Sequence, residues 1–423
     1  MSKSTFLLFL LSTHILSSSA WAKRRNEFEW RFESYLYAEQ LKVSDATYNP
    51  GNAILQSPQS TLLLDNRLET KWLINDAKVI VRPRWTLIRE ELHNDLTQDT
   101  QTKSRGKLDL TDAFWEQDWT RKNTSTLGLQ VYQWGPGELF NTSNPFFRFT
   151  ARQQSYIFKE KGKALARWNW SPNQNNTLVA IVEPISNQEP YWMSEREFKP
   201  QAALKYEYTK SNSQNYAGLV GGVQDQQNPF VGQYAYYEIG KGFSTYLDAK
   251  QSQGLLTYRP QLTANGYDMV LQEDRKDKWN HLALIGFRYE GDFDWRLEYL
   301  FNGDGYNKEE YQQALSSLSN FRSPSYPQNL SRFLDSGLNL MTQNYLYTSL
   351  RVAEPFKTSE FNIYLRSLLS LLESSGLAQA EIDKAVSGSF VFFASYSYFF
   401  GGKDSEFRLT NDWRAYLGIK YTF

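Results

Sequence analysis

Apolar and polar residues alternate one by one along most of this chain. In the last eleven residues, WRAYLGIKYTF, one parity holds Trp413, Ala415, Leu417, Ile419, Tyr421 and Phe423. Near the start, Phe28, Trp30 and Phe32 alternate with Glu29, Arg31 and Glu33. Leu62, Leu64, Leu68, Trp72 and Ile74 alternate with Asp65, Arg67, Glu69 and Lys71. Val79, Val81, Trp85 and Leu87 alternate with Lys78, Arg82 and Arg84. A period of two puts the apolar set on one face of a β-strand and the charged set on the other. Comparable segments recur at 104–120, 125–134, 163–171, 177–185, 200–210, 215–224, 230–239, 243–257, 280–290, 294–302, 344–354, 360–372, 377–387, 389–400 and 413–423. The expected count is about 18 strands, within a range of 16–18.

The separators alternate in length. Asn75-Asp76, Arg121-Lys122-Asn123, Pro172 to Asn175, Gly240-Lys241-Gly242, Gly291-Asp292 and Ser387-Gly388 are tight-turn sequences. Between them lie longer polar stretches at 41–59, 93–103, 135–162, 186–199, 258–279, 303–343 and 401–412. Within 303–343, residues 308–321 (KEEYQQALSSLSNF) read as a short helix. Short turns at one end and long loops at the other is the pattern of an outer-membrane barrel. The fold class is therefore all-β: a closed antiparallel transmembrane β-barrel with short periplasmic turns and long extracellular loops. Closure also explains the exposed-looking last strand, because it pairs with the first and leaves no open edge. A secreted β-sandwich or β-helix is the soluble rival. It needs two buried faces somewhere, whereas nearly every segment here carries charge on one face.

Composition sharpens this picture. Aromatic residues make up 16% of the chain, with 27 Tyr, 27 Phe and 13 Trp, yet mean hydropathy is −0.59. That suits a barrel with one apolar face, aromatic girdles and a wet interior. No apolar run reaches the roughly 18 residues of a spanning helix. Residues 1–22 read as a secretory signal peptide, with Lys3, the apolar run Phe6 to Leu11 and a small-x-small site ending at Ala22. The barrel domain is then 23–423, and the destination is the bacterial outer membrane. Charges balance at 46 against 46, which gives no bulk attraction to nucleic acid. With 0 Cys, thiolate metal sites and Cys nucleophiles are excluded.

If apolar parity marks lipid, the opposite parity marks the lumen. The expected inward arginines are Arg31, Arg67, Arg82, Arg84, Arg167, Arg288, Arg296, Arg351, Arg366 and Arg414, with Lys71, Lys78, Lys205 and Lys420. The expected inward acids are Glu29, Glu33, Asp65, Glu69, Asp109, Glu207, Glu290 and Glu298. Mutual ion pairing across strands accounts for many of these charges. The basic excess points to an anion preference, since arginine-lined pores favour anions. A second constellation is the segment WGPGELFNTSNPFFRF, Trp134 to Phe149. Its Gly, Pro and Asn residues favour turns, and its Phe residues supply private apolar content. It either packs on the outer rim or folds inward as a constriction, in which case Tyr132, Trp134, Gly135, Glu138, Arg148 and Arg152 become the residues of interest.

The stretch TLGLQVYQWGPGELFNTSNPF, with FFGGKDSEF and YLGIKYTF near the end, resembles Gram-negative outer-membrane barrels of the alginate-export type and related uncharacterised porin-like families. Leu129-Gln130 stands where that group commonly has Gly-Arg. The resemblance implies an 18-strand-like channel for polar or anionic solutes, or an export pore. The terminal Tyr421 and Phe423 resemble the signal by which barrel-assembly machinery recognises such proteins.

An enzyme reading finds little support. Only His93 and His281 remain outside the signal, and neither sits in a nucleophile motif. No metal site or cofactor is expected. A TonB-dependent receptor needs a plug domain ahead of its first strand, and that strand already begins near Phe28. The expected function is a channel for small polar or anionic solutes. The alternative is a plugged barrel that acts as the membrane partner of a periplasmic or surface complex. Expected partners are outer-membrane lipid, lipopolysaccharide, the assembly machinery and the solute.

Overall fold

The computed structural model describes residues 26–94, 96–148, 155, 157–186, 198–224, 228–254, 257–264, 266–271, 277–320, 323–336, 338, 340–355 and 358–423. Residues 1–22 and Arg152 lie outside the described residues. Twenty strands follow in order: β1 (Asn26–Val43), β2 (Ser60–Ile74), β3 (Ala77–Asn94), β4 (Asp99–Thr120), β5 (Asn123–Gln130), β6 (Lys163–Trp170), β7 (Asn176–Glu183), β8 (Gln201–Thr209), β9 (Tyr216–Gln224) and β10 (Asn228–Gly240), then β11 (Phe243–Gln253), β12 (Tyr258–Thr263), β13 (Gly266–Leu271), β14 (Trp279–Glu290), β15 (Asp294–Asn302), β16 (Asn344–Ala353), β17 (Phe361–Ser370), β18 (Ser375–Ala385), β19 (Phe390–Phe400) and β20 (Asn411–Thr422).

Eighteen of these form one antiparallel sheet, and β12 and β13 form a separate hairpin. The large sheet closes because β1 pairs with β2 on one side and β20 on the other. Phe32 and Phe423 exchange both backbone hydrogen bonds, at 3.1 and 2.9 Å. No described helix is long and apolar enough to cross a membrane. The start of β1 and the end of β20 lie at the end with the short turns.

Register separates the two faces. Outward positions expose Phe28, Trp30, Leu62, Leu87, Leu219, Val231, Ile285, Phe392 and Leu417. Outward aromatics near the short-turn end pack laterally in tilted pairs: Phe28 with Trp72 at 5.3 Å, Trp30 with Phe423 at 5.3 Å and Phe390 with Tyr421 at 4.8 Å. That band matches an aromatic girdle at a membrane interface.

Several expected boundaries move. The 93–103 stretch is not a loop: β3 and β4 continue to Asn94 and Asp99 and form one long hairpin. The strand expected to reach residue 134 stops at Gln130, where the chain turns inward. The stretch 258–279 contains the β12–β13 hairpin. Helix α1 (Lys308–Ser316) forms within the expected 308–321 and begins on a capping box between Asn307 and Glu310. A second helix, α2 (Tyr326–Leu334), has Pro327 near its start and no side-chain cap. It was missed because its signal lies in its apolar face rather than in a cap.

Candidate functional site

Inside the barrel, the segment after β5 folds into the lumen. Trp134, Phe146 and Phe147 pack against inward Leu165, Val179, Ile181 and Phe230. Leu139 and Phe140 pack against Tyr246, Leu284, Leu300 and Tyr347. The Trp134 indole N–H donates to Ser143 Oγ at 3.1 Å. Asn144 Oδ1 accepts from the backbone N–H of Phe146 and Phe147, both at 3.0 Å. This local network gives the segment a shape of its own.

The wall receives it at specific points. Glu138 Oε2 lies 2.9 Å from Arg296 Nε, and Tyr347 donates to Glu138 Oε1 at 2.8 Å. Arg148 donates to Gln224 at 2.9 Å, and buried Lys250 donates to the same oxygen at 3.1 Å. Tyr132 lies under the Arg167 guanidinium at 4.3 Å. Gly135 adopts φ +94°, and a Cβ there would collide with the Asp248 carboxylate. Farther along, Ser155 and Tyr416 share a hydrogen bond of 2.9 Å on the opposite wall. Arg67 reaches the Ile157 carbonyl at 3.4 Å. Described parts of the segment thus touch the wall around β11 and β15 and, farther along the chain, the wall around β20 and β2.

All ten arginines named from parity sit on the lumen side of the register. Nine of them have a carboxylate partner. Arg31 pairs with Glu33 at 2.7 Å, and Arg67 and Arg84 share Asp65 at 2.7 and 2.8 Å. Arg82 bridges Glu69 and Asp112 at 2.8 and 3.0 Å. Arg167 approaches Glu116 at 3.7 Å, and Arg366 approaches Glu381 at 4.0 Å. Arg288 pairs with Asp294 at 2.8 Å, Arg296 with Glu138, and Arg414 with Glu39 at 2.7 Å. Arg351 is exposed and lies over the Tyr364 ring at 5.3 Å, with no ion pair among the described residues.

The parity argument undercounted the inward acids. Glu39, Asp112, Glu116, Glu183, Asp248, Asp294, Glu381 and Asp383 also face inward. The arginine surplus is correspondingly offset. Asp248 was detectable, because Tyr246, Asp248 and Lys250 alternate along β11. Its role was not, because its partners come from a distant loop.

Inward charges at the short-turn end are more open than those at mid-wall. Side-chain exposure is 58% for Arg31, 56% for Glu29 and 56% for Glu290, against 0% for Asp65. Solvent therefore reaches the wall from that end. At the long-loop end, residues from 44–59, β12–β13, α1, α2 and 401–410 share one core, including Tyr48, Met269, Tyr306, Tyr311, Phe333 and Leu409. Buried Arg259 ties β12 to α1 through Glu310 at 2.7 Å. Glu406 accepts from Met341 N at 2.7 Å and Tyr345 Oη at 2.8 Å, and its own backbone N–H donates to Glu373 at 3.0 Å. Desolvation raises the pKa of Glu406 and pushes that of Glu373 up to about 7.

A closed 18-stranded antiparallel barrel with an apolar outside, a charged inside and a loop folded into its lumen has the architecture of an outer-membrane porin. Solved structures share it. Pseudomonas aeruginosa OccK7 (OpdD) matches with a TM-score of 0.57 at 8% identity, over 94% of this chain and 99% of that one. Pseudomonas aeruginosa OccK5 (OpdH) matches at 0.54 and 9%, over 94% and 98%. Pseudomonas aeruginosa OpdK, solved with vanillate, matches at 0.52 and 8%, over 94% and 98%. These are outer-membrane porins of the OprD/Occ group, and at such identities the likeness is one of fold. No protein-family model and no curated protein matches the chain. The alginate-export resemblance rests on its sequence segments alone.

Proposed function

We propose that this protein is an outer-membrane channel for small polar solutes, with a preference for anions. The observation that carries the channel reading is a charged lumen wall open to solvent at the short-turn end and narrowed by the segment after Tyr132. Arg351 supports the anion preference, because of the ten arginines named from parity it alone has no ion pair among the described residues. The vanillate in the OpdK structure is an anion and agrees with it. The remaining arginines, with Tyr132, Trp134, Gly135, Glu138, Arg148 and Arg152, form the proposed solute path and constriction. Likeness to the alginate-export type makes export a second direction of flux to consider.

On this reading residues 1–22 are a signal peptide removed after Ala22, and 23–423 form a single barrel domain. The outward face meets lipid and, at the long-loop end, lipopolysaccharide. Tyr421 and Phe423 are the contact for the assembly machinery. A reversal potential under a salt gradient tests the anion preference. The expected sign is anion-directed, and Arg351→Glu is expected to move it toward cations. Cation preference in the native chain contradicts the proposal.

The packed core at the long-loop end favours a second reading, a plugged barrel serving a periplasmic or surface complex. A folded barrel without conductance would select it.

A further inference from the structure

Two fully buried carboxylates on the lumen wall, Asp248 on β11 and Glu298 on β15, are 0% exposed. Neither has an ion pair among the described residues. The nearest cations on their own strands are engaged elsewhere: Lys250 with Gln224, and Arg296 with Glu138 and Asp294. Donors come instead largely from the inward segment. Asp248 Oδ1 accepts from Thr142 Oγ and Ser143 N, both at 2.8 Å. Glu298 accepts from the backbone N–H of Glu138 and Leu139, at 2.6 and 2.8 Å, and from Tyr246 Oη at 2.6 Å.

The backbone is shaped for these contacts. A Cβ on Gly135 would strike Asp248, and a Cβ on wall residue Gly232 would come within 2.8 Å of Ser143 Cβ. At its base the segment is pinned by the Gln130–Lys163 pairing and by the hydrogen bond from Gly162 N to Thr111 O at 2.7 Å.

Such contacts are finely balanced. Charge-assisted hydrogen bonds favour the docked segment. Docking also strips water from two carboxylates that gain no counter-charge, which opposes it. A pinned segment under opposing terms of this kind can switch between discrete positions. We propose that Asp248 and Glu298 are a clasp holding Gly135–Ser143 across the lumen, and that its release converts the constriction into a wider opening. The conductance arm of the test rests on the channel reading, and a labelling arm does not.

The chain has 0 Cys, so introduced thiols report alone. In bilayers, Asp248→Ala/Glu298→Ala is expected to raise single-channel conductance at least twofold. In Asp248→Cys/Glu298→Ala with Thr142→Cys, positions whose native side chains meet at 2.8 Å, oxidation is expected to restore the native level until the disulfide is reduced. In detergent, Ser143→Cys alone is expected to resist a bulky maleimide and to react at least tenfold faster in the Asp248→Ala/Glu298→Ala background. Barrel integrity is checked by heat-dependent gel mobility. Unchanged labelling in a folded double variant overturns the clasp. So does raised conductance that the disulfide fails to reverse, since the extra space then comes from the missing side chains. A native chain that never conducts, with labelling that still switches on, retires the channel reading and keeps the clasp.

Discussion

Asp65 shows how single residues organise the wall. Its side chain is 0% exposed and holds both Arg67 and Arg84. Breaking a buried pair leaves an uncompensated charge, which typically costs about 3 to 5 kcal/mol. Asp65→Ala is therefore expected to lower the temperature at which the folded band disappears on unheated gels, and more than Glu29→Ala, whose exposed pair with Lys71 contributes little. Equal shifts for the two variants contradict this assignment. Glu373 offers a pH test outside the spanning strands. Its folded pKa lies near 7 against an ordinary 4.5. A raised carboxyl pKa contributes stability that is full below about 4.5 and is lost as pH rises through about 7. Protection factors in 371–374 and 401–410, with exchange corrected for its intrinsic pH dependence, are expected to be higher at pH 5 than at pH 8, and Glu373→Gln is expected to flatten the difference. Parity alone placed the inward arginines, because direction depends only on counting by two. It did not reveal their partners: Asp112 faces Arg82 beside a register shift at Arg82/Pro83, where Pro83 marks a bulge but does not say which acid ends up opposite.

Elements divide by whether their causes are local. The alternating strands and the capped helix α1 were legible because alternation and an Asn307–Glu310 box are sequence-near. The β12–β13 hairpin and α2 were not, because both are held by a shared tertiary core with Tyr48 and Phe333 at its centre. The Trp134–Phe147 segment was half legible. Its turns and aromatics announced an ordered loop, but the choice between rim and lumen depended on Asp248 and Glu298, more than a hundred residues away. The last strand makes its own prediction. Tyr421 and Phe423 pack against Phe390 and Trp30, and Phe423 closes the hydrogen bonding to Phe32. Removing Tyr421–Phe423 strips Phe32, Glu33 and Ser34 of their partners on the β20 side of the barrel seam. It is expected to cut the folded fraction in detergent or bilayer several-fold, as read by gel mobility, and an unchanged yield contradicts that account.

At the scale of the whole molecule, the same alternation that makes each strand two-faced makes the assembly a vessel, apolar outside and charged within. Eighteen strands leave room for more than side chains. The inward segment and the long-loop core occupy much of that room, and the open charges at the short-turn end mark where water enters. Low mean hydropathy with abundant aromatics already pointed to this division, since lipid touches only one residue in two. How far the interior is filled was not legible, because the filling comes from loops whose direction their own residues do not specify. The central claim is that a path still runs through. Single-channel recording of the refolded mature chain in a planar bilayer tests it most directly. The account predicts stable openings with an anion-directed reversal potential under a salt gradient. A correctly folded barrel, shown by its heat-dependent mobility, that never conducts would contradict it.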